Sequence, residues 1–338
     1  MTKVSKSSME KIRKLRKKKP DMVELASSII DGDPIALGRG ITMIESKNKQ
    51  NSIKADHLVS KCLPYCVDSF RIGITGVPGV GKSTFIEAFG NLLTKREHKV
   101  AVLAVDPSSS LSKGSILGDK TRMDQLVKNE NAYIRPTASG SSLGGVAQKT
   151  RESIILCEAA GFDTVIVETV GVGQSETSVH GMTDLFLLLK LAGAGDELQG
   201  MKRGIIEMAD MIAINKADGE NKRNAEKAKA EFNKALHLYP RKESGVDPKV
   251  MLCSSLNGTG LDRIISNLEN YHKTTKANGY FELKRKQQNK HWFMRTIESK
   301  LKSDFFASEK VKKEFDDNLI RINKGEMTPF QAAENLLG

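Results

Sequence analysis

A doubly wound α/β domain with a mostly parallel sheet, extended by helices at both ends, is the fold this sequence predicts. Six short runs rich in Val, Ile and Leu recur through its middle: FRIGIT, KVAVLAVD, TVIVETV, DLFLLLKLA, MIAINKAD and KVMLCSS. Continuous apolar runs of this kind suit parallel strands covered on both faces. The stretches between them are long enough for crossover helices, such as KSTFIEAFGNLLTKREH after the first run. Directly behind that first run stands GVPGVGKST, Gly76 to Thr84, a glycine-rich turn opening a helix pattern.

The elements follow in order. DMVELASSIIDGD and PIALGRGITMIES read as two helices, with apolar residues three and four apart. Asp33 before Pro34 is a good helix entry, because the carboxylate caps and the proline lacks an N–H that a first turn cannot use. Residues 1–66 are therefore expected to form an N-terminal helical extension and 67–270 the α/β domain. After Tyr271 no strand-like run returns. WFMRTIESKLKSDFF and VKKEFDDNLIRI carry helical spacing, so 271–338 is expected to hold two or three helices. Their apolar faces, with Trp292, Phe293 and Phe305, have either the main domain or a second subunit to cover them.

Composition narrows the function classes. The chain has 338 residues, 39% of them hydrophobic, and no run approaching the roughly 18 apolar residues of a membrane span. No membrane association is expected. The lysine-rich start, MTKVSKSSMEKIRKLRKKKP, lacks an apolar signal core, so a cytoplasmic location is expected. Four cysteines, Cys62, Cys66, Cys157 and Cys253, read as free thiols in a reducing compartment. Cys62 and Cys66 flank LPY, a poor zinc spacing with no second pair nearby. A net charge of +12 invites nucleic acid, but one Trp and five Tyr leave little to interleave with the basic residues. The charge reads as a solvated lysine-rich surface, and no nucleic-acid partner is expected.

Gly76-Val77-Pro78-Gly79-Val80-Gly81-Lys82-Ser83 matches the phosphate-binding loop in full, with a strand run before it and a helix pattern after it. The glycines let the backbone curl so that successive N–H groups face phosphates, aided by the helix dipole. Lys82 is expected to reach the β- and γ-phosphates and the Ser83 hydroxyl to ligate Mg²⁺. Thr84 falls on the α-phosphate side.

Asn215-Lys216-Ala217-Asp218 closes the run MIAI. An aspartate here accepts two hydrogen bonds from guanine N1 and N2, for which adenine has no matching donors. Asn215 would touch the base and hold the loop, and the Lys216 stem would lie along the ring. Ser254, Ser255 and Leu256 follow at another strand end, where the backbone would meet guanine O6. GTP, with GDP as product and Mg²⁺ as cofactor, is the expected nucleotide.

Between these motifs lie the switch candidates. Glu168-Thr-Val-Gly171 follows TVIV, and its carboxylate suits Mg²⁺ while the Gly171 N–H suits a γ-phosphate. Asp106 ends KVAVLAVD and fits the same metal's outer shell or the attacking water. Gln174 is a candidate to position that water, and 108–119, with Lys113, a candidate lid. Catalytic roles therefore fall to Lys82, Asp106, Glu168 and Gln174, and metal ligation to Ser83, Asp106 and Glu168. The six histidines show no ligand spacing, and only His180 lies near a switch candidate.

Three longer blocks, VDPSSSLSKGSILGDKTRM, IVETVGVGQSE and GAGDELQGMKRGIIEMADMIAINKADG, resemble the methylmalonyl-CoA mutase-associated GTPase family of MeaB or ArgK type. The resemblance runs from about Asp31 to the C-terminal helices. It implies a GTPase domain of the signal-recognition and nickel-insertion class, flanked by helices and dimeric through its C-terminal part. It also implies a chaperone for an adenosylcobalamin-dependent acyl-CoA mutase, which gates cofactor delivery and protects or reactivates the mutase. The lysine-rich first 20 residues lie outside this pattern. Two other readings differ in class: a metallochaperone GTPase for another enzyme such as a nickel enzyme, and a non-catalytic, nucleotide-dependent binding module. The first commonly carries His- or Cys-rich tracts, which this sequence lacks. The second would be odd with a complete Lys82, Ser83 and guanine motif.

Overall fold

Seven parallel strands form one sheet in the order β3-β2-β4-β1-β5-β6-β7. The computed structural model describes residues 21–46, 48–105, 123–137, 143–169, 175–192 and 203–337. The strands are β1 (Phe70–Gly76), β2 (Val100–Val105), β3 (Ala132–Thr137), β4 (Thr164–Thr169), β5 (Leu185–Leu191), β6 (Met211–Asn215) and β7 (Lys249–Leu252). Six of them coincide with the apolar runs read from the sequence. The additional strand, β3, has the sequence AYIRPT and, among the described residues, pairs only with β2, setting Pro136 opposite Ala104. Its proline lacks a ladder donor, which an edge strand tolerates.

Helices precede and follow the sheet. α1 (Met22–Ile30), α2 (Pro34–Glu45) and α3 (Lys49–Cys62) come first, and carboxylate or amide oxygens cap all three. Asp33 Oδ1 accepts from Ile35 N at 2.8 Å, as the Asp-Pro entry predicts. α3 is more polar than the two helices read from the sequence, yet Ala55, Leu58 and Cys62 recur at helical spacing and are buried. At Gly40 of α2 a Cβ would stand 2.9 Å from the Leu156 side chain and 3.0 Å from that of Ile29, so the helices meet closely there.

The crossovers are α4 (Lys82–Lys95), α5 (Leu143–Ala159), α6 (Ser175–His180), α7 (Arg203–Met208) and α8 (Lys222–Leu236), and α9 (Leu261–Ala277) follows β7. One sheet face presents Ile72, Ile74, Ile166 and Leu187 to Phe85 and Phe89 of α4 and Ile264 and Leu268 of α9. The other presents Leu103, Val165, Val167 and Phe186 to α5, α6 and the N-terminal helices. Further along that face Leu188, Ile212 and Ile214 meet Ala225, Ala228 and Phe232 of α8. Coverage on both faces is the physical reason the strands read as unbroken apolar runs.

The chain divides into two compact units, Met1–Lys284 and Arg285–Gly338, the division falling inside α10 (Tyr280–Phe305). The second unit continues with α11 (Glu309–Asn323) and α12 (Pro329–Leu337). Its helices enclose an open apolar groove of about 770 Å³ lined by Leu301, Phe305, Phe315, Leu319 and Leu336. No helix among the described residues is long and apolar enough to cross a membrane. All four cysteines are free thiols, and burial pushes Cys62 up to about 11 and Cys66 up to about 12.

Candidate nucleotide site

The carboxyl ends of the parallel strands share one rim of the sheet, where ligands bind in open α/β folds. β4 and β1 are neighbours at its middle, β5 separates β1 from β6, and β7 lies at the edge beside β6. β1 runs straight into the glycine-rich turn. A Cβ at Gly76 would stand 2.6 Å from the Leu189 carbonyl oxygen of β5, so only glycine lets the strand end sit this close. Gly79 and Gly81 take φ of +81° and +90°, and Gly81 precedes the first turn of α4. The turn thus presents its backbone to the helix N-terminus, an arrangement suited to anionic phosphates. Lys82 Nζ lies over this loop, donating to Gly76 O at 2.8 Å and Val77 O at 3.4 Å. Ser83 is buried at the start of α4, whereas Thr84 is exposed.

The NKAD segment is fastened to the same loop. Asn215 Nδ2 donates to Val80 O at 2.9 Å, and Lys216 Nζ donates to Gly79 O at 3.0 Å. Lys216 adopts φ +57°, an uncommon conformation for a residue with a side chain. The β7 end completes the frame. Asn215 Oδ1 accepts from Ser255 N at 3.1 Å and Ser255 Oγ at 2.8 Å, with the Cys253 thiol at 3.7 Å. The hydroxyl of Ser254 donates to the Asp218 carboxylate. Leu256 projects outward, 87% exposed.

These contacts bring together Gly76, Val77, Pro78, Gly79, Val80, Gly81, Lys82 and Ser83 with Asn215, Lys216, Asp218, Ser254 and Ser255. From sequence, Ser254 and Ser255 are backbone contributors; in the structure their hydroxyls also brace the two NKAD side chains. The fastening by Val80 O and the Cys253 thiol has no sequence signal beyond proximity to the motifs. Glu168 is buried on β4 beside Ile74 of β1 in the sheet register. Asp106, Gly171, Gln174 and the 108–119 segment lie outside the described residues. His180 sits apart from this site. Its ring meets Phe186 edge-on at 5.5 Å, near the amino-terminal ends of the strands. Burial, with Lys284 next, pushes it down to about 4.

A glycine-rich loop at the end of β1, bound directly to an NKAD loop at the end of β6, defines the P-loop GTPase class. Within that class, the family model described as methylmalonyl Co-A mutase-associated GTPase MeaB matches residues 37–310. The chain belongs to this family and is a guanine-nucleotide-binding GTPase. It is 42% identical to the GTPase ArgK of Escherichia coli over 308 residues, covering 91% of this chain and 93% of that protein. It is 39% identical to the methylmalonic aciduria type A homolog, mitochondrial, of Mus musculus over 323 residues, covering 93% and 78%. A crystal structure of an LAO/AO transport system kinase superposes with a TM-score of 0.75 at 36% identity, covering 93% of this chain and 96% of that one.

Proposed function

We propose that this GTPase is a nucleotide-gated chaperone for an adenosylcobalamin-dependent methylmalonyl-CoA mutase or a related acyl-CoA mutase. The observation that carries the reading is the family match along most of the chain, joined to relatives named for methylmalonic aciduria. In this reading the mutase senses whether GTP or GDP is bound. The protein thereby times cofactor loading and protects or reactivates its client.

The residue roles form part of the proposal. N–H groups of 76–84 cradle the phosphates, and Lys82 leaves its carbonyl partners for the β- and γ-phosphates. Asp218 accepts from guanine N1 and N2, Asn215 holds the loop, Lys216 flanks the ring, and 254–256 edge the base. Mg²⁺ suits the donor set: Ser83 offers a buried hydroxyl and Glu168 a buried carboxylate, hard oxygen ligands of the kind it prefers. When bound, the ion would neutralise charge developing on the phosphate oxygens. Asp106 is assigned to its outer shell, Gly171 to the γ-phosphate and Gln174 to the attacking water. Intrinsic hydrolysis is then slow and rises when the partner fixes a switch residue.

The domain roles are an N-terminal helical extension (1–66), a GTPase domain (67–270) and a dimerising C-terminal segment (271–338). The apolar groove of the second unit supports a homodimer. The free thiols support a reducing, cytoplasmic setting. Steady-state hydrolysis of GTP, with ATP as control, tests the function with and without purified methylmalonyl-CoA mutase. GTP-selective stimulation by the mutase is expected. Equal rates with and without it would remove this client.

A further inference from the structure

The Thr169 hydroxyl donates to the Thr75 hydroxyl at 2.8 Å, with 0% and 2% of the two residues exposed. The parallel register of β1 and β4 sets Gly73 opposite Val167 and Ile74 opposite Glu168, which makes Thr75 and Thr169 the next cross-strand neighbours. Strand side chains alternate between faces. Ile74 and Glu168 therefore share the face toward α4, and the two threonines share the opposite face.

Their places in the chain give the contact its meaning. Thr75 immediately precedes Gly76, the first residue of the phosphate loop, and Thr169 immediately follows Glu168. One buried bond thus ties the root of the phosphate loop to the strand end carrying the proposed metal-side acid. On its other flank the root is pressed against β5, where a Cβ on Gly76 would meet the Leu189 carbonyl. Two valines would fill the same space, as Val165 and Val167 do elsewhere on this face. Hydroxyls in so dry a layer are unfavourable unless they satisfy each other, and threonine holds its Oγ1 on a stiff χ1 torsion. The pair therefore sets a distance as well as filling space.

We infer that Thr75 and Thr169 are positioning residues for GTP hydrolysis, holding the end of β4 in fixed relation to the phosphate loop. The inference rests on the roles proposed above for Lys82 and Glu168.

The test uses the full chain carrying Thr75→Val, Thr169→Val or both. Four readouts are compared: melting temperature, affinity for a fluorescent GDP analogue in EDTA, the Mg²⁺ dependence of nucleotide affinity, and kcat with KM for GTP. Each single valine strands one buried hydroxyl and lowers the melting temperature, while the double variant recovers it. In the double variant GDP affinity in EDTA stays within about twofold, but the Mg²⁺ requirement rises and kcat falls about 5- to 10-fold at similar KM, because the reacting groups are displaced. Wild-type kcat and Mg²⁺ dependence in that variant would make the pair purely structural.

If the double variant melts too early to assay, Thr169→Ser against Thr169→Ala decides, since both lose the methyl and only serine keeps the hydroxyl. Serine should hold kcat near wild type and alanine should not; equal rates overturn the inference. Lys82→Ala and Glu168→Gln serve as controls. If both hydrolyse GTP normally, the underlying site reading fails, whatever the threonines do. If both are inactive while the valine pair runs at full rate, only the positioning role fails.

Discussion

The Ser254 hydroxyl donates to the carboxylate of Asp218 across 36 residues of chain, joining the loop after β7 to the loop after β6. In the role proposed for it, the Asp218 carboxylate faces guanine N1 and N2 at once and benefits from being held at one oxygen. Ser254→Ala frees it to rotate and should weaken GTP and GDP binding by about 1 kcal/mol, roughly five- to tenfold, the usual net worth of such a bond. ATP binding should not change. Competition titrations with the three nucleotides check this. If GTP and ATP affinities move together, Ser254 supports the loop and not the base reading proposed for Asp218.

A second prediction concerns the amino-terminal rim of the sheet. Arg71 meets Glu158 through two bonds, Nε to Oε1 at 2.6 Å and the guanidinium NH2 to Oε2 at 2.9 Å. The Ser69 hydroxyl also donates to Glu158, whose side chain is 3% exposed. Arg71→Met would leave that carboxylate buried with its counter-charge gone, a loss of about 3–5 kcal/mol. Urea unfolding at pH 7 measures it. Arg71→Met combined with Glu158→Gln should recover most of the deficit, because the stranded charge is then gone. A deficit that the double variant keeps would mean that packing of the arginine stem, not charge, is at stake.

The legible and illegible parts of the molecule divide along physical lines. Strands buried on both faces announce themselves, so β1, β2, β4, β5, β6 and β7 stand out as apolar runs. β3 does not, because Tyr133, Arg135 and Pro136 break the pattern on an edge where one side needs no ladder. The phosphate loop and NKAD are local motifs, read by spacing alone. Their mutual fastening is not, since Asn215 reaches Val80 over 135 residues and Ser255 reaches Asn215 over 40. His180 marks the limit of proximity arguments. It follows the switch candidate closely in sequence, yet six residues of helix carry it away toward the opposite rim.

That displacement yields a pH prediction. The His180 imidazole is pushed down to about 4 from its ordinary 6.5, chiefly by burial and then by Lys284, with Lys242 adding and Asp210 opposing. Between these values the unfolded chain binds the proton and the folded chain does not, so stability falls as pH drops from 6.5 toward 4. Above 6.5 the residue is neutral in both states and contributes no such term. At pH 4.5 the loss should be on the order of 2 kcal/mol. His180→Gln should remove that part of the acid sensitivity, visible as a smaller fall in melting temperature between pH 7 and 4.5 than in the unchanged protein. Parallel curves for the two proteins would refute the assignment.

Two glycines beside the base loop allow a sharper comparison. Gly258 and Gly260 have nearly the same backbone angle, φ +78° and +81°, so alanine at either carries a similar conformational penalty of about 1–2 kcal/mol. Their surroundings differ. Nothing lies within 4 Å of a Cβ at Gly258, whereas at Gly260 it would stand 2.3 Å from the Leu252 carbonyl oxygen and 3.2 Å from Cys253 Cα. Both neighbours are backbone and cannot swing aside as a side chain does. Gly258→Ala should therefore cost only the backbone term and leave nucleotide binding near normal. Gly260→Ala must push the start of α9 away from the end of β7, the point from which Ser254 and Ser255 reach Asp218 and Asn215. It should lose about 3 kcal/mol or more, a size tied to strain at a special backbone position. GTP affinity should drop with it, while the contacts between Lys82 and the phosphate loop stay intact. Calorimetric melting paired with GTP titration separates the two variants. Similar losses in both would show that the φ angle, and not the close approach to Leu252, fixes glycine at position 260.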